Sequence, residues 1–335
     1  MTVHKLDPNH PDPSIIENAA SIIRAGGLVA FPTETVYGLG ADAMNEQAVK
    51  RIFHVKGRPA DNPVIVHVSG RKMLDRVGKS VSAAAEKLIE RFWPGPLTLV
   101  LERKPGVAVS VSAGLPTVAA RMPRSKIALS LIQAADTPIA APSANLSGRP
   151  SPTRAAHVEA DLGDKIDMIL DGGETEIGIE STVVDMTSMP PAILRPGWIT
   201  GEMLAEVIGP IEAAPSTRKL KHSPGTRHRH YSPKARVILM EKGSGESIER
   251  ICREYLGTYR VGFIGHTRVS IDNPRFKSLI LEDSAKVYAR SIFSAMREMD
   301  DWGAEVVVIE GISEEGGGAA VMDRLRRAAS IVTEP

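Results

Sequence analysis

The segment AGGLVAFPTETVYGLG, residues 25–40, contains the change from helix to strand that decides the fold class. Upstream of it, apolar residues recur at helical spacing at Ile15, Ile16, Ala19, Ala20, Ile22 and Ile23. Gly26-Gly27 is a typical helix end, and the apolar run 28–31 is typical of a buried strand. Hydroxyl and carboxylate side chains follow that strand directly. Open α/β sheets bind ligands at the carboxyl ends of their strands, so this loop is a candidate site, although its polar groups could also serve a simple turn.

The same alternation of helices and strands continues to about residue 209. We predict a helix with Asn45 as N-cap and further helices over 82–93 and 126–135. Predicted strands cover 64–68, 97–101, 117–121 and 138–141. Strands over 167–170, 181–186 and 191–195 follow one another closely, which favours antiparallel or mixed pairing. The pattern therefore predicts an α/β domain over 1–209 with an open, twisted, mixed sheet.

A basic segment interrupts the pattern at 210–235. Residues 216–236 contain seven Lys or Arg, three His and no acidic residue. Such a run is typical of a solvated tether. The alternative is a lid over a nucleotide, with Tyr231 at or near the ligand and Pro233 fixing the exit of the chain.

The remaining residues, 236–335, again alternate between strands and helices. Predicted strands cover 236–240, 260–264, 278–281 and 305–310, and predicted helices cover 246–256, 284–300 and 317–332. This order predicts a small, parallel, Rossmann-like α/β domain.

Composition excludes several classes of protein. The net charge is only +1, so no overall field favours nucleic acid, and a basic partner surface has to be local. No apolar run reaches the roughly 18 to 20 residues that span a bilayer, and the first residues do not resemble a secretory signal. We therefore expect a cytoplasmic location. The single cysteine, Cys252, rules out an internal disulfide or a cysteine-cluster metal site.

Standard nucleotide-binding motifs are missing from the sequence. The one Gly-Lys-Ser, at 78–80, has Met73 where a phosphate loop requires glycine. The segment GLGADA, residues 38–43, matches a dinucleotide fingerprint, but six residues separate it from the preceding strand. Neither match predicts a phosphate site.

Charged and polar groups nevertheless recur at the ends of predicted elements. Lys56 and Arg58 flank a glycine at a helix exit, which suits a triphosphate, although helix capping explains them equally well. Ser143, Asn145 and Ser147 follow a short buried strand, where such residues also occur for local reasons. Arg121, Ser181 and Arg195 lie near other strand ends, and each arginine taken singly suits an exposed salt bridge.

Together these segments resemble the YrdC-like threonylcarbamoyl-AMP synthases in their long, two-domain form. The shared motifs, in order, are PTETVYGLG (32–40), KGR with NP (56–63), WPGPLT (93–98), RMP (121–123), APSANLSG (141–148), ESTV (180–183), RPG (195–197) and SPGTRHRHYSP (223–233). Thr226 stands where the family often has methionine. The resemblance covers nearly the whole chain.

The resemblance implies that L-threonine, bicarbonate or CO2, and ATP react with Mg²⁺ to give threonylcarbamoyl-AMP and pyrophosphate. A separate transferase then uses the product to form N6-threonylcarbamoyladenosine in tRNA. Such chemistry requires aligned reactants and stabilised phosphate charge rather than a protein nucleophile. The resemblance gives no metal ligands.

The resemblance also implies the site residues. For ATP they are Lys56, Arg58, Asn62, Thr117, Ser143, Asn145, Ser151, Arg195 and Tyr231, with Lys56 and Arg58 acting in catalysis. For threonine they are Thr35, His67, Arg121, Ala141 and Ser181. Arg121 suits the carboxylate of the amino acid, and Thr35 and Ser181 suit its hydroxyl. His67 alternatively suits an inward-facing strand position with a local hydrogen bond.

Two other functions remain open from the sequence. A basic face with the linker could bind double-stranded RNA without using ATP. A YrdC-like enzyme could instead activate carbamoyl phosphate, although the chain lacks zinc-finger cysteines and an acylphosphatase domain.

Overall fold

The computed structural model describes residues 1–212, 231–241 and 243–333. By their contacts these residues group into two compact units. The first unit contains residues 1–147, 152–176 and 180–212. The second unit contains 231–241 and 243–333 together with two short segments, 148–151 and 177–179. Most of the predicted linker 210–235, including residues 216–230, lies outside the described residues.

The first unit is built on a large sheet flanked by helices. Its strands are β1 (Thr2–Lys5), β2 (Val29–Phe31), β3 (Gly38–Asp42), β4 (Ile65–His67), β5 (Gly78–Lys79), β6 (Leu97–Arg103), β7 (Thr117–Arg121), β8 (Ile139–Ala140), β9 (Met168–Asp171), β10 (Thr182–Asp185) and β11 (Ala192–Arg195). Its helices are α1 (Pro13–Arg24), α2 (Glu46–Lys56), α3 (Arg71–Val77), α4 (Ala83–Phe92), α5 (Lys126–Ala135), α6 (Ala155–Leu162) and α7 (Gly201–Ile208).

The strands pair in the order β1-β9-β2-β3-β8-β4-β7-β6-β10-β11, and β5 pairs with β6. The pairs β1/β9, β2/β9, β4/β7 and β6/β10 are parallel, whereas β2/β3, β3/β8, β4/β8, β6/β7 and β10/β11 are antiparallel. The prediction of a mixed sheet is therefore confirmed.

Local sequence explains where the decisive elements begin and end. Asn45 caps α2, because its side chain accepts the backbone N–H groups of Gln47 and Ala48. The helix ends at Gly57, whose φ of 60° is left-handed and favours glycine. Gly40 in β3 faces Phe31, and a Cβ there would lie 2.7 Å from the Phe31 ring. The dinucleotide-like segment 38–43 is thus mainly a strand, and its glycines accommodate a neighbouring ring.

The second unit is built on a parallel sheet of five described strands. They are β12 (Arg236–Met240), β13 (Val261–Gly265), β14 (Phe276–Ile280), β15 (Val306–Glu310) and β16 (Ile331–Thr333), in the order β14-β13-β15-β12-β16. The helices are α8 (Gly245–Leu256), α9 (Ala285–Trp302) and α10 (Gly318–Ala328). All pairs in this sheet are parallel, which confirms the Rossmann-like prediction.

The helix predicted over 317–332 was wrong at its end. Ala329 takes an extended conformation after α10, and Ile331–Thr333 then pair with β12. The sequence also failed to indicate β1, α3, α6 and α7, which are short or mostly exposed. Among the described residues, no helix combines the length and the apolar character needed to cross a membrane.

Candidate active site

Backbone hydrogen bonds join three polar segments that lie far apart in the sequence. The N–H of Leu39 donates to Pro142 O at 2.9 Å, and the N–H of Ala144 donates to Tyr37 O at 2.8 Å. The N–H of Ser147 donates to Lys56 O at 2.9 Å. The motifs at 32–40, 56–63 and 141–148 therefore lie together at the ends of β2, α2 and β8.

Lys56 connects two of these segments through its side chain. The residue is only 2% exposed. Its ammonium Nζ donates to Ser143 O at 2.6 Å and also to Asn145 O. Lys56 thus binds the loop after β8, and capping of its own helix does not account for its position.

Arg58 and Asn62 shape the turn that follows α2. The Arg58 guanidinium donates from Nε to Asn62 O at 3.0 Å and from Nη2 to Pro63 O at 2.7 Å. Asn62 is buried, whereas Arg58 is half-buried. The turn therefore presents its arginine at a fixed position beside Lys56.

Arg121, the last residue of β7, is the centre of a second cluster. Its Nη1 donates to Thr35 Oγ1 at 2.9 Å, and its Nε donates to Gly95 O at 3.2 Å. Its Nη2 lies 2.8 Å from Glu34 Oε1, and both side chains are less than 5% exposed. The other carboxylate oxygen, Glu34 Oε2, accepts the backbone N–H of Arg124 at 3.1 Å. The exposed salt bridge considered for Arg121 is therefore wrong.

The ion pair of Arg121 and Glu34 is almost completely buried. Arg121 Nη2 and Glu34 Oε1 lie 2.8 Å apart, and neither atom has a further hydrogen-bond partner among the described residues. Burying a charge is costly unless an opposite charge is close to it. Glu34 therefore compensates the charge of Arg121 and helps to hold the guanidinium in place.

His67 lies next to this cluster at the end of β4, in register with Arg121 on β7. Its ring meets the Phe31 ring edge-on, with 6.0 Å between centroids. Burial, and secondly the Arg121 charge, lower the pKa of His67 from 6.5 to about 3, so the imidazole is neutral at physiological pH. Its Nδ1 is buried and has no hydrogen-bond partner in the described part of the chain. The local hydrogen bond considered for it therefore leaves this nitrogen unused.

Ser181 and Arg195 form a third group beside β10 and β11. Ser181 Oγ lies 2.8 Å from Thr98 Oγ1, and Arg195 Nη2 donates to Ser181 Oγ at 3.2 Å. Arg195 also donates from Nε to Ser181 O at 3.1 Å. Arg195 is buried, so the exposed salt bridge considered for it is wrong as well.

The remaining candidate residues are more dispersed. Ala141 follows β8 and donates its N–H to Ile65 O at 2.9 Å. Thr117 begins β7, so it lies about 13 Å along the strand from Arg121. Ser151 and Tyr231 belong to the second unit, where the Tyr231 ring stacks on Phe293 with 5.3 Å between centroids. Their assignments to ATP remain predictions.

The sequence analysis did not assign a role to Glu34 or Thr98. Glu34 stands between Thr33 and Thr35 directly after a buried strand, which is the signal that could have identified it. Its partner Arg121 is also 87 positions away, so no local pattern links them.

Two family models match consecutive parts of the chain. The Sua5/YciO/YrdC model, described as "Telomere recombination", matches residues 21–197. The model described as "Threonylcarbamoyl-AMP synthase, C-terminal domain" matches residues 199–330.

Two curated relatives are similar over nearly their full lengths. The threonylcarbamoyl-AMP synthase of Pyrococcus abyssi (strain GE5 / Orsay) is 48% identical over 323 residues, which cover 94% of each chain. The threonylcarbamoyl-AMP synthase of Bacillus subtilis (strain 168) is 43% identical and covers 97% of this chain and 95% of its own.

Solved structures give the same result. P. abyssi Sua5 complexed with L-threonine matches with a TM-score of 0.93 and 45% identity over 99% of both chains. Escherichia coli YciO is 24% identical, has a TM-score of 0.53 and covers 58% of this chain and 95% of its own, so it shares the fold of the first domain. The chain therefore belongs to the Sua5/YciO/YrdC family, in the form that carries the Sua5 C-terminal domain.

Proposed function

We propose that this chain is a threonylcarbamoyl-AMP synthase. It joins L-threonine, bicarbonate or CO2, and ATP to give threonylcarbamoyl-AMP and pyrophosphate. Near-full-length similarity to relatives with this name supports the activity. The observation that carries the proposal in the site is the buried Arg121 guanidinium, which Thr35, Gly95 and Glu34 hold in place.

The threonine end of the site is centred on Arg121. A guanidinium recognises a carboxylate through directed hydrogen bonds, and burial strengthens these because water does not compete. The hydroxyls of Thr35 and Ser181 suit the side-chain hydroxyl of the substrate. Neutral His67 adds a nitrogen that can donate or accept, and Ala141 adds its backbone. Serine lacks the substrate methyl, which costs about 1 to 3 kcal/mol in a fitted subsite.

The ATP end is centred on Lys56 and Arg58. Ser143 and Asn145 lie in the loop that Lys56 binds, and Asn62 lies in the turn that Arg58 binds. Cations held by backbone carbonyls need no rearrangement when negative charge develops on phosphate. We assign Thr117 and Arg195 to the same nucleotide. The roles of Ser151 and Tyr231 in ATP binding stay predictions, as does the lid predicted for the segment 210–235, most of which lies outside the described residues.

The reaction requires alignment more than a protein nucleophile. The carbamate formed from the threonine amine attacks the α-phosphate through an oxygen, and pyrophosphate leaves. The groups around Arg121 orient the carbamate, and those around Lys56 and Arg58 stabilise the phosphate charge. These two roles correspond to the separate clusters around Arg121 and around Lys56 and Arg58.

Mg²⁺ belongs to the proposal as an ion carried by ATP. Among the described residues, no group of three or more His, Cys, Asp or Glu side chains is arranged to hold a metal. Mg²⁺ in ATP-using enzymes is usually bound mainly by substrate phosphates and water. The ion would neutralise phosphate charge.

We further propose that the product passes to a separate tRNA threonylcarbamoyl transferase, in the cytoplasm. A weak RNA contact by the basic segment is compatible with this route. The transferase takes no part in the formation of threonylcarbamoyl-AMP.

A single reaction tests the activity. Mass spectrometry of a mixture containing ATP, L-threonine, bicarbonate, Mg²⁺ and the full chain is expected to show threonylcarbamoyl-AMP, with pyrophosphate release requiring both threonine and bicarbonate. Arg58→Ala is expected to lower the rate about 100-fold. Arg51→Ala, an exposed arginine on the same helix, is the matched control and should retain the rate. Pyrophosphate release that ignores threonine would contradict the proposal.

A further inference from the structure

We infer that Arg324 is a positioning residue for the proposed reaction, because it holds the ring of Tyr231 in place. Tyr231 is predicted to bind ATP, so this inference rests on the proposed function. Arg324 lies in α10, outside all the motifs on which the assignment of site residues depends. The inference therefore adds a buried residue of the second unit to those on which the reaction depends.

Tyr231 has a strained backbone. Its φ of 66° lies in the left-handed region, which a residue with a bulky side chain rarely adopts. Such a conformation persists only where the surrounding structure enforces it, and it often marks a functional segment. The residue is also only 5% exposed, so packed neighbours are available to enforce it.

Two side chains of the second unit contact the Tyr231 ring. The ring stacks on Phe293 of α9, with 5.3 Å between centroids and 22° between the ring planes. The Arg324 guanidinium carbon lies 5.8 Å from the centroid of the Tyr231 ring, within the range of a cation–π contact. The backbone is fixed directly afterwards, because the Ser232 N–H donates to Gly148 O at 2.8 Å. Tyr231 is therefore held through its ring as well as through the chain that follows it.

The burial of Arg324 needs an explanation of its own. Its side chain has no exposed surface, and its Nη1 pairs with Asp323 Oδ2 at 2.9 Å. The same carboxylate also pairs with Arg327 at 3.0 Å, so one negative charge serves two guanidinium groups. Burying a cation is costly, and an apolar side chain of similar size often packs at least as well. Attraction to the Tyr231 ring is an interaction that an apolar residue does not provide, which accounts for an arginine at this position.

A purely structural role for Arg324 is the competing explanation. In that case its loss would lower the fraction of folded enzyme, which reduces the apparent kcat but leaves the KM values for ATP and threonine unchanged. The positioning role predicts a selective rise in the KM for ATP, because the Tyr231 ring loses one of its two contacts. It also predicts that a change at Arg324 has little further effect once the Tyr231 ring has been removed.

The experiment measures pyrophosphate release by the full chain with ATP, L-threonine, bicarbonate and Mg²⁺. Arg324→Met and Tyr231→Leu are each expected to raise the KM for ATP about tenfold or more, while the KM for threonine changes less than about twofold. Arg324→Lys keeps a cation near the ring and should recover most of the affinity for ATP. The double variant should be no worse than Tyr231→Leu alone, because Arg324 acts only through that ring.

Additive losses in the double variant, or an unchanged KM for ATP in either single variant, would overturn the inference and leave the proposed function intact. Failure of the unchanged chain to form threonylcarbamoyl-AMP would instead count against the proposed function. Arg324→Gln covers the case in which the methionine variant does not fold. Glutamine can still bond to Asp323 but carries no charge, so the same rise in the KM for ATP is expected.

Arg327→Met is the matched control for these variants. Arg327 lies one turn further along α10 and binds the same Asp323 carboxylate, so its loss disturbs the same ion pair. The KM for ATP is expected to stay within about twofold of the unchanged chain. A rise as large as that in Arg324→Met would show that the ion pair with Asp323, rather than the contact with Tyr231, is what matters, and would overturn the inference.

Discussion

Three cations of the first unit, Lys56, Arg121 and Arg195, are buried side chains held by oxygen atoms. Carbonyl groups bind Lys56, a carbonyl and a hydroxyl bind Arg195, and Arg121 has a carbonyl, a hydroxyl and the Glu34 carboxylate. Burying a charge is costly unless it is paired and hydrogen-bonded. The residues around each cation are therefore needed for its burial as much as for any ligand.

The neutral His67 predicts a dependence of stability on pH. Its pKa is lowered from 6.5 to about 3 in the folded chain, so below about pH 6.5 the unfolded chain binds a proton that the folded chain does not. The stability that this neutral ring contributes is present above that pH and is lost as the pH falls towards 3. Between these two pKa values the unfolding free energy falls by up to about 1.4 kcal/mol for each pH unit.

Urea unfolding at about pH 7.5 and about pH 5 measures this effect. His67→Gln is expected to reduce the loss of unfolding free energy between these conditions by about 2 kcal/mol. His54→Gln, at an exposed position of α2, is the control. The same pH dependence in wild type and His67→Gln would contradict the prediction.

At the scale of the elements, close backbone contacts between loops and strands fix where the strand ends lie. The loop after β11 packs against the start of β10, and Gly197 is the point of contact. A Cβ at this glycine would lie 2.2 Å from Thr182 N and 2.6 Å from Ser181 C. The glycine therefore allows the loop to approach the segment that carries Ser181.

Gly197→Ala is expected to destabilise the chain by about 1 to 3 kcal/mol, because the backbone has to move to admit the methyl group. Thermal unfolding measures the loss, and the activity at low temperature should fall as Ser181 shifts. Gly70→Ala is the matched control, since its φ of 164° is ordinary extended backbone and a Cβ there meets nothing within 4 Å. Equal melting temperatures for the two variants would show that the close approach of this loop does not require a glycine at position 197.

At the scale of the whole molecule, the second unit includes two segments from the first two-thirds of the sequence. Within that unit the Arg297 Nη2 donates to Pro150 O at 2.6 Å, and the Ser232 N–H donates to Gly148 O at 2.8 Å. Gly178 lies against the backbone of α9, where a Cβ would approach Ala289 O to 2.3 Å. Residues 148–151 and 177–179 therefore depend on residues that follow position 231.

Arg297→Met tests this dependence. It leaves the buried Pro150 carbonyl without this donor, which is expected to cost about 1 to 3 kcal/mol of unfolding free energy. Hydrogen exchange at Gly148 and Arg149 should become faster. Arg250→Met, at an exposed site on α8, is the comparison and should leave exchange there unchanged. Unaltered exchange in Arg297→Met would mean that other contacts fix this segment.

Local signals predicted much of this architecture. The Asn45 cap and the Gly57 end of α2 follow from neighbouring residues, and the alternation after residue 236 indicated the parallel sheet. Contacts between residues far apart in the sequence could not be predicted. No periodic pattern indicates that Arg121 pairs with Glu34. The charge of Arg324 likewise gives no sign that this residue is completely buried in α10. Such contacts depend on how elements pack, which a one-dimensional pattern does not encode.

The pairing of β1 with β9 bears on how this protein emerges from the ribosome. Thr2 is aligned with Met168, so the first strand has to wait for 166 further residues before its partner exists. At the usual speed of synthesis, that delay is roughly 10 to 30 s. Throughout this interval the nascent chain carries an unpaired strand, which is an aggregation hazard that exposed side chains at Thr2, Val3 and Lys5 do little to conceal. All strands of the large sheet exist only once β11 has been made, so the first strand stays unpaired through about the first half of synthesis.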